Sequence, residues 1–69
     1  MKEITDRLKL KEFLDEKNWF EQGGKTVETA ATKANGNIAT VTYFLGDTPI
    51  AQQIADKDSG TVRFFIDAA

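Results

Sequence analysis

The chain has 69 residues, the size of one domain (1–69), with nine basic and eleven acidic side chains, a net charge of −2, and neither Cys nor His. Without Cys there is no disulfide framework and no Cys-based zinc site, and without His the commonest general base and metal ligand is missing. Bases and acids are interleaved along the chain, which argues against a basic phosphate-binding stripe, and the acidic excess is too small for a mimic of DNA.

Residues 1–20 are charged throughout, unlike a secretory signal, and no apolar run approaches the ~20 residues of a membrane-spanning helix. A cytoplasmic chain is expected. Residues 2–24, KEITDRLKLKEFLDEKNWFEQGG, read as the helical segment, because good helix formers dominate and Glu3–Arg7 and Lys11–Asp15 stand at i,i+4 spacing. Leu10, Phe13 and Leu14 form one apolar set and Ile4 with Leu8 a second; at ~100° per residue the two do not superpose. The helix proper is therefore expected from Leu10 to Lys17, with Asn18 just beyond its C-cap and Gly23–Gly24 ending the segment.

Strand character follows. Asn35–Gly36 is a hairpin signal, since both residues tolerate positive φ. The arm before it, 26–34, is weak, with Val27 its only large aliphatic residue. The arm after it, 37–45, is rich in β-branched and aromatic residues, and its two faces are Ala39, Val41, Tyr43, Leu45 and Ile38, Thr40, Thr42, Phe44. Residues 48–56 admit two readings. Asp47 or Thr48 caps a short second helix with Pro49 in its first turn, or Pro49 opens an edge strand that turns back at 58–60. The strand is preferred, because turn signals lie between strongly β-forming flanks. Residues 61–67 form the last strand, with Val62, Phe64 and Ile66 on one face and Arg63 and Phe65 on the other. The expected fold class is α+β: an N-terminal helix packed on a three-stranded, mainly antiparallel sheet (αβββ).

The motifs that suggest chemistry are incomplete. GGKT, residues 23–26, has the look of a phosphate-binding loop, but the Gly required five residues before Gly24 is Trp19, and the strand and helix come in the reverse order. DKDSGT, residues 56–61, starts like a calcium loop but places Gly60, Thr61 and Asp67 where that loop needs an oxygen ligand, a Gly and a Glu; a plain turn is expected. Ser59 is the only Ser, with no His to activate it, and Glu12 with Asp15 or Glu16 reads as a solvated helix face rather than a hydrolytic pair. No enzymatic activity, catalytic residue, cofactor or metal is expected.

The aromatic residues are the informative ones. If the helix covers Val41, Tyr43, Leu45, Val62, Phe64 and Ile66, then Leu10, Phe13 and Leu14 complete a small core. The opposite face then carries Ile38, Thr40, Thr42, Phe44, Arg63 and Phe65. One helix cannot cover both faces, so Ile38, Thr42, Phe44, Arg63 and Phe65 are the candidate partner-binding residues. The alternative is that Trp19, Phe20 or a short second helix folds over them.

The small size, the missing Cys and His, and the phrase VTYFLGDTPIA…DSGTVRFF resemble small phage- or mobile-element-encoded accessory proteins, anti-CRISPR inhibitors among them. The resemblance implies a non-enzymatic inhibitor that occludes a host protein's surface, acting in the host cytoplasm. It transfers no site to any residue. The expected function is a non-catalytic protein-binding module, with an unidentified protein or a second copy as partner. Two alternatives stand beside it: stacking of single-stranded nucleic acid on the sheet aromatics, and a structural homodimer.

Overall fold

A strand, a helix and a four-strand meander succeed one another in the computed structural model, which describes residues 1–33 and 36–67. Strand β1 is Lys2–Ile4, helix α1 is Arg7–Glu16, and strands β2 to β5 are Lys25–Lys33, Gly36–Leu45, Thr48–Asp56 and Thr61–Ile66. They form one antiparallel sheet in the order β1-β5-β4-β3-β2, so the N-terminal strand closes the edge beside β5. The α+β class holds, with five strands rather than three. β1 was hidden inside a segment that reads as helix, and the Thr- and Ala-rich β2 pairs along its length despite its weak signal.

Asp6 explains where α1 begins. It is extended (φ −151°), and its carboxylate accepts the Lys9 N–H at 2.8 Å, capping the third helical position. The helix therefore starts three residues before the expected Leu10. Its other end follows the expectation at Asn18, which has φ 52°. Trp19 N–H donates to the Leu14 carbonyl at 3.0 Å and Asn18 N–H to the Asp15 carbonyl at 3.0 Å, the paired bonds of a Schellman motif.

The strands turn where the sequence permits positive φ. Gly46, at φ 65°, opens the two-residue connection between β3 and β4. At 57–60 the Asp56 carboxylate accepts the N–H groups of Asp58 (3.1 Å) and Ser59 (3.4 Å), and Gly60 sits at φ 71°. DKDSGT thus holds the four-residue turn between β4 and β5, closed by the Gly60 N–H on the Asp56 carbonyl at 2.9 Å. Lys33 pairs with Gly36 across β2 and β3; the expected Asn35–Gly36 turn lies, at residues 34 and 35, outside the described residues.

Residues 48–56 are strand throughout, so the second helix does not form, and β4 is central rather than an edge. A bulge lets Pro49 stand there. Tyr43 pairs with Ala51 and Phe44 with Pro49, leaving Ile50 as the extra residue where the ladder is already interrupted.

Leu10 (3% exposed), Ala51 (0%) and Phe64 are the centre of the core, with Ile4, Phe13, Leu14, Tyr43 and Ile66 packed around them. The helix thus seats its i, i+3, i+4 stripe on the face of Phe64 and Ile66, as alternation requires. It is short, about 15 Å at 1.5 Å per residue. Val62, expected in the core, lies beyond its reach and is 45% exposed.

Candidate protein-contact surface

Residues directly opposite in an antiparallel sheet share a face. The register therefore gives the face away from α1 as rows across the strands. Glu3, Phe65, Gln52, Thr42 and Val27 form one row; Arg63, Ile54, Thr40 and Thr29 the next; Thr61, Asp56, Ile38 and Ala31 a third. Phe44 stands two residues along β3 from Thr42, opposite Lys25. All five candidate residues (Ile38, Thr42, Phe44, Arg63, Phe65) thus lie on this one face. Phe65 and Thr42 share a row on either side of Gln52, whose side-chain amide donates to the Thr42 hydroxyl at 3.4 Å.

Several members of the surface were not found from the sequence, Gln52, Ile54, Glu3 and the exposed Val27 among them. Gln52 and Ile54 went unassigned because the 48–56 segment had two readings, and which side chains share a face depends on choosing one. Glu3 was read as a helical partner of Arg7. Its carboxylate instead accepts from Arg63 Nε at 2.5 Å, across the β1–β5 pair. This hydrogen bond holds the Glu3 carboxyl below its ordinary range, against the opposing cost of desolvation and with a further contribution from the charge attraction, and the same bond and attraction raise the Arg63 guanidinium. The same guanidinium lies 5.1 Å from the centre of the Phe65 ring, within cation–π range. Glu3, Arg63 and Phe65 therefore form one connected cluster at the β1–β5 end of the face.

None of the candidate covers reaches this surface. Trp19 packs on the helix side: its ring meets Tyr43 edge-on at 5.6 Å, and its indole N–H donates to the Phe44 carbonyl at 3.0 Å. Phe20 points into solvent, 85% exposed. Residues 48–56 belong to the sheet itself. Ile38, Phe44, Ile54 and Phe65 are half-buried by their own neighbours, with no described element over them.

Elsewhere, an open groove of about 420 Å³ runs between α1 and Tyr43, lined also by Arg7, Leu8, Leu10, Lys11 and Leu14. No carboxylate lines it. Among the described residues no group of His, Cys, Asp or Glu is placed to hold a metal ion, and no helix is long and apolar enough to cross a membrane. The chain matches no protein-family model, no curated protein and no solved structure.

Proposed function

We propose that the chain is a non-catalytic protein-binding module whose contact surface is the open face of its sheet, with Phe65, Phe44, Ile38, Thr42 and Arg63 at the contact. The observation that supports this is the gathering of those residues, with Ile54, on a face that no described element covers. Aromatic and Arg anchors surrounded by Thr and Gln are the composition that carries binding energy at protein interfaces. At ~25 cal/mol per Å² of apolar area, covering what remains accessible of two Phe and two Ile side chains contributes at most a few kcal/mol. The resemblance to phage accessory proteins gives the specific form: an inhibitor that occludes a host protein's surface.

Single-stranded nucleic acid would use the same rings, but the Arg63 charge is already engaged by Glu3 and the net charge is −2. No anisotropy change is expected with a short labelled strand at low salt. The protein-binding reading is tested with Phe65→Asp. The variant is expected to keep its far-UV circular dichroism, as a surface residue allows, while losing inhibition of a co-expressed host defence complex. Unfolding of the variant would make Phe65 a core residue and sink the reading, and a wild type that neither binds nor inhibits such complexes would remove its inhibitor form.

A further inference from the structure

We infer that the occupant of the open sheet face is a second copy of this chain, packed sheet to sheet about a two-fold axis. This rests on the reading of that face as a contact surface and names what covers it in the free protein, so that a host partner using the same face would have to displace the second copy. The area favours it first. The chain exposes 4926 Å², whereas a folded monomer of 7.7 kDa exposes about 4,300 Å². The excess of about 600 Å², spread over the whole chain, compares with the ~800 Å² that each partner buries in a standard interface, and on this face it includes the exposed Val27. Shape agrees, since the radius of gyration is 12.5 Å against about 11 Å for a compact chain of this length.

The interior is also too small for the chain. Among the described residues only Leu10, Ile50, Ala51 and Phe64 are buried. A second sheet stacked ~10 Å away would bury Ile38, Phe44, Ile54 and Phe65 as well. Helix α1 lies on the far side of the sheet and does not obstruct it, so pairing gives four layers, helix–sheet–sheet–helix.

Charge selects the partner. In an isologous contact a patch meets itself, so a patch of one sign repels its own copy. Among the described side chains, this face sets Glu3 and Asp56 against Arg63 and Lys25, with Asp67 next in alternation just beyond β5, a mixture of both signs around the apolar centre. A foreign partner chosen by charge would call for one dominant sign. A mixture is what self-recognition needs.

The test is solution mass by light scattering over a dilution series for the wild type, Phe65→Asp and Thr42→Arg. Mild oxidation of Thr42→Cys and Leu8→Cys accompanies it, in a chain with no other Cys. A dimeric wild type is expected, with a dissociation constant raised about 30-fold or more in either face variant. Thr42→Cys should cross-link well ahead of Leu8→Cys on the helix. A wild type that stays monomeric at hundreds of micromolar overturns self-pairing while leaving the face to a foreign partner. A dimer unmoved by both face variants, or cross-linked through Leu8→Cys instead, places the interface elsewhere and overturns it too. A monomeric wild type whose face variants both unfold overturns this inference together with the contact-surface reading. If the variants unfold but the wild type is a dimer, preferential cross-linking through Thr42→Cys still decides in its favour.

Discussion

Glu3 and Arg63 are 60 residues apart in sequence and joined by one hydrogen bond. Because that bond holds the folded Glu3 carboxyl below its ordinary 4.5, the folded chain binds fewer protons there than the unfolded one, and stability rises with pH across the interval. The contribution is present above the ordinary value and disappears as pH falls through the lower, folded value. Glu3→Gln should therefore melt below the wild type at about pH 6 and converge with it by about pH 2, with the gap narrowing in high salt because the pair is exposed. A gap that stays constant with pH would mean that the ion pair does not form. Gly24 makes a different demand. Its φ is ordinary, but a Cβ there would collide with the Trp19 indole. Gly24→Ala is expected to cost about 1–3 kcal/mol, the usual range for overpacking. Urea unfolding followed by the fluorescence of Trp19, the only Trp, reads it directly. Unchanged stability and emission would show that the ring is not seated over Gly24.

At the scale of the element, α1 depends on its ends. Asp6→Ala removes the acceptor of the Lys9 N–H and is expected to lower stability by about 1 kcal/mol. Asn18→Gly, at φ 52°, should be neutral or stabilising by up to about 1 kcal/mol, because Gly adopts that conformation without a Cβ clash. If Asp6→Ala changes nothing in urea unfolding, the helix does not begin there. The C-terminal end of this helix was readable because Asn and Gly signal positive φ locally. Its N-terminal end was not, because Glu3–Arg7 spacing imitates a helical pair, whereas the partner Glu3 takes is supplied by β5. The same limit applies to β4. Pro49 argues locally for an edge strand, and only the bulge at Ile50, a property of two paired strands, explains its place in the centre. The faces of β3 and β5 were legible, since period-2 alternation is local, and that sufficed to separate Phe65 from Phe64. Which further residues join Phe65 was not, because rows such as Phe65–Gln52–Thr42 exist only once the register is fixed.

For the whole molecule, the consequence of a small interior and a broad open face is that pairing adds to the stability of a monomer that folds on its own. Where the folded chain is dimeric, each tenfold rise in concentration adds about 1.4 kcal/mol of stability to the folded pair. Two chains of 69 residues carry an unfolding entropy of about 0.3 kcal/mol/K near the midpoint, so Tm should climb about 5 °C per tenfold in concentration. A hundred-fold series by differential scanning calorimetry is expected to show a rise of about 10 °C for the wild type. Phe65→Asp, whose charge would be desolvated at the centre of the interface, should show a lower Tm that concentration does not move. A flat wild-type series would instead mean that α1 and its one sheet face stabilise the fold alone. Ile38, Phe44, Ile54 and Phe65 would then be open on the free chain, and the unbalanced area would be the driving force for capturing a foreign surface.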